Sequence, residues 1–262
     1  MSYTIAEDAK PQVMLLAAAT LISVGLWVVA WFIPTAAYIY YPLQLFATFI
    51  HEASHALVAL LTGNSVSSLT VSPDTSGAVW SSGSGLSGLL ISSAGYVGAT
   101  AYGTALLVWI RFGRSPRTPL YFSGALIGLM TISFGLLLPF WNFFDNVTLG
   151  SVAFTVFAGL AITAALFAIA RWAPIRWAHF ALAFLSVQCL LNAFFSLRDL
   201  FVISTTTDRG TDAANMAAAT GIPAVIWVVL WVAISLVIIA LGIRLYAATG
   251  KKGTDTVFED KL

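Results

Sequence analysis

The stretch FATFIHEASHALVAL, from Phe46 to Leu60, decides how this chain folds. It is mostly apolar, yet it contains His51, Glu52 and His55 in the order H-E-x-x-H. Residues four apart on a helix lie on the same face, one turn from each other, so both imidazoles can reach one metal ion. The stretch therefore predicts a membrane-buried helix that carries a metal site.

The H-E-x-x-H pattern has a defined chemistry. Two neutral histidines supply nitrogen ligands to zinc, an open coordination position takes water, and the glutamate accepts a proton from that water. Placing such groups in a membrane costs a few kcal/mol each on insertion scales, so they mark functional sites. The alternative is that His51 and His55 bond to neighbouring helices while Glu52 is salt-bridged or protonated.

The composition indicates a polytopic membrane protein whose surroundings are a lipid bilayer. Of the 262 residues, 59% are hydrophobic and only 9% are charged, and the mean hydropathy of +0.91 lies far above that of soluble domains. The net charge of +1 is scattered, which predicts no nucleic-acid partner. A lone Cys189 cannot form an internal disulfide and is interpreted as a small buried hydrophobe.

Seven apolar runs are long enough to cross a bilayer as helices. The sequence predicts an all-α polytopic membrane protein, a single domain over residues 1–262, with about seven transmembrane helices. The first run is interpreted as a retained helix, because the polar tail before it lacks the positive charge of a secretory signal. The predicted spans are 13–33, 42–62, 86–110, 119–139, 148–170, 177–200 and 222–246.

Basic residues predict the orientation. With the N-terminus outside and the C-terminus cytoplasmic, only Lys10, Arg198 and Arg209 lie outside, in keeping with the positive-inside rule. We expect a multi-pass protein of the plasma membrane. The basic residues then on the cytoplasmic side are Arg111, Arg114, Arg117, Arg171, Arg176, Arg244, Lys251, Lys252 and Lys261.

The segment from Gly63 to Gly85 is too polar and too rich in Gly and Ser to cross a membrane. Residues 67–71 alternate, and residues 78–80 could pair with them across a turn at 73–77, which predicts a short β-hairpin. Its functional interpretation is an edge that takes up an unwound substrate as an added strand. The alternative is an ordinary surface loop.

Small residues recur along the third span, as in Gly95, Ala99 and Gly103. This spacing lets another helix approach closely in lipid. We expect the partner to be the helix of His51.

A catalytic zinc site usually has three protein ligands, so one remains to be found. The candidates are Asp145, His179, Asp199, Asp212 and, more remotely, Glu52 itself. Asp199 is favoured, because Asn192, Ser196 and Asp199 share one face of an otherwise apolar helix and need an internal partner there.

The other candidates have simpler interpretations. Asp145 sits in an outer loop and is interpreted as a solvated turn carboxylate. His179 is placed at the cytoplasmic end of its span, as an interfacial histidine. Asp212 precedes an Ala-rich stretch and is interpreted as the N-cap or first-turn acid of a short helix.

Three sequence features together resemble the B-type branch of the site-2-protease-like membrane zinc metalloproteases, over residues 46–231. They are HEASH with the following Leu-Thr-Gly, the run from Ser92 to Gly98, and the run from Asn192 to Asp199 with Asp212-Ala. The resemblance implies zinc bound by His51, His55 and an aspartate of a later helix, with Glu52 as catalytic acid and base. The family's better-studied members carry Gly after that aspartate, whereas Leu200 follows Asp199 here.

The resulting hypothesis is a membrane-embedded zinc endopeptidase acting on membrane-associated protein substrates, with Zn²⁺ as cofactor. Glu52 is the general base, and Asn192 is a candidate donor to the oxyanion. The alternative is a non-catalytic metal-binding or ion-transport protein with the same ligands, since intramembrane His, Glu and Asp also line ion paths. The presence of Glu52 favours hydrolysis, because a pure binding site needs no base beside the metal. A scaffold that has kept the motif without activity is a third possibility.

Overall fold

The chain folds into helices around one β-hairpin. The computed structural model describes residues 10–112, 114–206 and 211–247. Within these ranges, side chains are described at every position except 10–12, 31, 34, 192–206 and 247. The helices and strands are α1 (Lys10–Phe32), a 3-10 turn (Pro34–Ala36), α2 (Ala37–Leu61), β1 (Val66–Val71), β2 (Gly77–Ser81), α3 (Gly85–Arg111), α4 (Arg117–Met130), a π-helix (Thr131–Leu137), α5 (Leu138–Trp141), α6 (Leu149–Trp172), α7 (Ile175–Thr206), α8 (Asp212–Thr220) and α9 (Ala224–Ala247).

Each predicted span falls on a helical segment, but the number of spans is only partly supported. Within the described residues, five helices are long and apolar enough to cross a membrane. The 27-residue α3 is not among them, because its Gly, Ser and Thr residues lower its hydropathy. For α7, the apolar part with described side chains covers only Ile175–Leu191. The five are Val13–Ala30, Ala37–Leu61, Arg117–Trp141, Leu149–Trp172 and Ala224–Tyr246.

Helix α2 lies at the centre of the molecule. Of its most apolar 18-residue window 61% is buried, compared with 11% of the α1 window and 17% of the α9 window. Phe46, Phe49 and Ile50 are each about fully buried and belong to the same apolar cluster as Leu69 of β1 and Leu182 of α7. The helix that carries the H-E-x-x-H motif is therefore the one around which the others pack.

Helix α3 approaches α2 closely through glycines. A Cβ on Gly98 would lie 2.5 Å from the Ser54 hydroxyl oxygen, and one on Gly95 would overlap the imidazoles of α2. Gly103 instead faces α7, where an added Cβ would lie 2.9 Å from Cβ of the fully buried Cys189. The predicted contact with the helix of His51 is thus made by Gly95, while Gly103 packs elsewhere.

The hairpin predicted after α2 is present. Strands β1 and β2 pair antiparallel, with Leu69 opposite Val79 and Val71 opposite Gly77. The turn is closed by the Asp74 carboxylate, which accepts hydrogen bonds from the Ser76 backbone N–H (3.1 Å) and hydroxyl (2.6 Å). It is therefore an ordered element rather than an ordinary loop.

The hairpin is fixed to the helices on both sides. Strand β1 is held by α6, because the Val71 N–H donates to the Thr155 hydroxyl oxygen (2.8 Å) and that hydroxyl donates to the Val71 carbonyl (3.2 Å). The turn is held by α2, because Thr48 donates to the Thr75 carbonyl (2.8 Å) and Tyr41 to the Pro73 carbonyl (2.7 Å). As a result, β2 lies along the face of α2 that carries Glu52.

Candidate metal centre

Three side chains that can ligate a metal converge beside α2. His51 and His55 come from neighbouring turns of α2, and Asp212 comes from the first turn of α8, after the N-cap residue Thr211. The two Nε2 atoms are 3.0 Å apart. Oδ2 of Asp212 lies 3.5 Å from Nε2 of His51 and 3.3 Å from Nε2 of His55. Among the described residues, these three form the metal-ligand cluster.

The triangle fits a zinc ion. Zinc binds His nitrogen and carboxylate oxygen at about 2.0–2.2 Å, so two ligands of a tetrahedral ion are roughly 3.3 Å apart. The three sides measured here, 3.0, 3.3 and 3.5 Å, match one face of such a tetrahedron. The fourth corner would remain for water or substrate, as in catalytic zinc sites.

A backbone contact sets the tautomer of His55. Its Nδ1 lies 2.6 Å from the carbonyl oxygen of Ile91 on α3. In the neutral ring, Nδ1–H donates to that oxygen, so the lone pair of Nε2 points toward His51 and Asp212. The ring is thereby oriented and prepared to ligate.

Gly95 lets α3 lie directly against the two imidazoles. A Cβ at this position of α3 would overlap Nε2 of both His51 and His55. A larger residue would therefore push the rings out of the triangle. The close contact between α3 and the two rings depends on glycine.

Glu52 lies on the other side of the ligands, toward the hairpin. Its side chain is only 4% exposed. A Cβ on Gly77, the first residue of β2, would lie 2.6 Å from Cγ of Glu52, so glycine lets the strand touch the carboxylate. The geometry thus places an acid or base between the ligands and the start of β2.

Comparison with known families agrees with this geometry. The sequence model of the Peptidase M50B-like family matches residues 15–242, which is most of the chain. The chain belongs to the Peptidase M50B-like family. No curated protein and no solved structure matches it. The match confirms the resemblance drawn from the motifs, and the apolar helices agree with a membrane protein.

In this Peptidase M50B-like chain the carboxylate of Asp212 is suited to ligation. Burial by itself would raise the pKa of Asp212, but electrostatic and hydrogen-bond interactions with the His55 and His51 imidazoles lower it by more. The pKa is therefore held below its ordinary value, and the group stays ionised, as a metal ligand must be.

Asn192 and Asp199 both lie on α7, but their side chains are outside the described residues. The role of Asp199 as a ligand and that of Asn192 as an oxyanion donor therefore stay predictions. Asp145 is exposed, where it accepts a hydrogen bond from Asn146 (3.3 Å), in agreement with a turn carboxylate. His179, near the start of α7, donates to the Ile175 carbonyl (3.0 Å) and is 6% exposed, so its ring packs inside the protein close to the helix end.

Asp212 is the member of the cluster that sequence reasoning did not favour. It is indeed a first-turn acid, as its position before an Ala-rich stretch predicted. The same side chain also reaches the two histidines, because α8 folds back toward α2. A signal was present in the sequence, since a nine-residue helix between two apolar spans begins with an acid.

Proposed function

We propose that this protein is a membrane-embedded zinc endopeptidase that hydrolyses peptide bonds of membrane-associated protein substrates, with His51, His55 and Asp212 as ligands. The observation that carries the proposal is the triangle of three donor atoms with the buried Glu52 at its side. We assign the third ligand to Asp212 rather than to Asp199, because Asp212 is the acid with a described side chain within reach of both histidines.

The side chains divide the work of hydrolysis. A zinc ion held by the three ligands would lower the pKa of water and polarise the scissile carbonyl. Glu52 takes a proton from the attacking water and returns it to the leaving amine. Because Glu52 is buried, bulk water has little access to its carboxylate and competes little for that proton. Asn192 is proposed as an additional donor to the oxyanion.

Strand β2 offers a place for the substrate backbone. Backbone groups of antiparallel strands point alternately toward and away from the partner strand. Both polar groups of Val71 bond Thr155, on the side away from β2, so its partner Gly77 also points its N–H and carbonyl outward. By the same alternation, the N–H and carbonyl of Val79 also point outward.

This outer edge of β2 has no partner strand in the described part of the chain. It begins at Gly77, in contact with Glu52. A protease must present an extended backbone, and an unwound segment added beside β2 would be led toward Glu52 and the ligands. The opposite edge, on β1, is already occupied by Thr155 at Val71.

Family membership and Glu52 favour hydrolysis over the alternative of metal binding or ion transport with the same ligands. The experiment is to purify the protein and compare it with Glu52→Gln. We expect about one zinc per chain in both proteins, and hydrolysis of a membrane substrate slowed by about 10²–10⁴-fold in the variant, because only proton transfer is removed. Wild-type hydrolysis without bound metal, or full activity in Glu52→Gln, would contradict the proposal.

The proposed orientation places the hairpin outside and the C-terminus in the cytoplasm, in the plasma membrane. Single cysteines at Thr75 and Ser115 test it in intact cells. The impermeant reagent should label Thr75→Cys and leave Ser115→Cys unlabelled. The native Cys189 is fully buried and adds little background. The reverse labelling pattern would invert the proposed map.

A further inference from the structure

Tyr96 of α3 connects the metal centre to a second apolar cluster. Its ring meets the His51 imidazole edge-on, with centroids 4.6 Å apart and an interplanar angle of 84°. On another side the same ring stacks on the Trp231 indole of α9, at 5.3 Å and 20°. Tyr96 is 9% exposed and Trp231 is 1% exposed. The two rings therefore fill the space between His51 and α9.

Helix α9 is registered on α3 by hydrogen bonds as well as by this stack. The indole N–H of Trp231 donates to the Ser93 hydroxyl oxygen (3.0 Å). Further along, one turn on α9 and two turns on α3, Thr100 donates to the Ser235 hydroxyl oxygen (3.1 Å). Two such contacts oppose sliding and rotation of α9 against α3.

The position of α9 in turn determines the position of Asp212. Helix α8 ends at Gly221, which has a φ of 72° and whose N–H bonds the Ala217 carbonyl (2.8 Å), and α9 begins three residues later. Ala213 and Met216 of α8 are buried in one cluster with Val228, Tyr96 and Trp231. Asp212 directly precedes Ala213, so the packing of this cluster positions its carboxylate.

We propose that Tyr96 and Trp231 are positioning residues for the metal centre. Tyr96 restrains the His51 ring, and the Tyr96–Trp231 stack holds the α8–α9 unit so that Asp212 reaches the ion. In this role both residues act through His51 and Asp212. This inference rests on the proposed function only in that the centre binds a metal.

The test is the zinc affinity of purified variants, measured by competition with a chelator. Trp231→Leu and Tyr96→Leu should each weaken zinc binding about 10- to 100-fold, the usual effect of losing a residue that orients ligands. Tyr96→Phe keeps the ring contacts and should bind within about threefold of wild type. The control is Tyr121→Leu, which removes another aromatic contact, with Phe167 at 5.7 Å, far from the centre, and should leave zinc affinity unchanged.

A double-mutant cycle separates positioning from general destabilisation. If Trp231 acts through Asp212, Trp231→Leu should weaken zinc binding less than about threefold once Asp212→Ala is present. Equal loss in both backgrounds would overturn the inference. Should Trp231→Leu fail to fold, Trp231→Phe keeps an aromatic ring but removes the bond to Ser93 and part of the stacked surface. It should still weaken binding about three- to tenfold, with wild-type affinity as the contradicting result.

The outcomes also separate this inference from the proposed function. A wild-type chain that binds no zinc would end the proposed function. A wild-type chain that binds zinc, with Trp231→Leu and Tyr96→Leu equal to Tyr121→Leu, would end only the positioning role.

Discussion

The two sides of the metal centre are built in different ways. On one side, His51, Glu52 and His55 come from two turns of α2, the most buried of the candidate spans, inside the main apolar cluster. On the other side, Asp212 comes from the nine-residue α8, which is held by a small separate cluster on α3. The first side is local in sequence, and the second depends on long-range packing.

This difference assigns different tasks to the two sides. The α2 side carries both the proposed base and the hairpin that would receive substrate, since Glu52 touches Gly77. The α8 side contributes a ligand and, among the described residues, no further group to the cluster. Changes on the α2 side should therefore affect chemistry or substrate as well as metal, whereas changes on the α8 side should act through the metal.

The largest effect is expected where α3 contacts both histidines. Gly95→Ala places a methyl group against Nε2 of His51 and His55, so the two rings are displaced from the positions in which they would share an ion. We expect loss of both zinc and hydrolysis, measured by metal analysis and substrate cleavage. Gly25→Ala on α1 is the matched control, because a Cβ there meets nothing within 4 Å and the helix gains about 0.5–1 kcal/mol. Full zinc content in Gly95→Ala would contradict the need for this close packing.

A smaller effect, confined to substrate, is expected from the edge of β2. Val79→Pro removes an outward N–H while keeping the ladder with β1, since proline is tolerated where the strand N–H faces away from its partner. Losing one backbone hydrogen bond of about 0.5–1.5 kcal/mol should lower kcat/KM about three- to tenfold, with unchanged zinc content. Val79→Ala is the control for the lost side chain. Equal kcat/KM in the two variants would argue against strand addition.

Sequence reasoning predicted the elements better than the site. The helices, the hairpin and the α2 motif follow from local patterns, because apolar runs, alternation and i, i+4 spacing act within a few residues. The choice of Asp199 over Asp212 also used local spacing, along the face of one helix. Sequence spacing cannot report that α8 folds back toward α2, because the cluster of Met216, Tyr96 and Trp231 joins residues of three helices.

The central claim is that an acid from α8 completes the site begun by α2. It is tested most directly by the zinc dissociation constants of wild type, Asp212→Ala and Asp199→Ala, measured side by side. We expect Asp212→Ala to weaken binding by at least about a hundredfold, more than loss of an outer residue would, and Asp199→Ala to remain within about tenfold of wild type. Retained affinity in Asp212→Ala together with loss in Asp199→Ala would contradict the claim and assign the third ligand to α7.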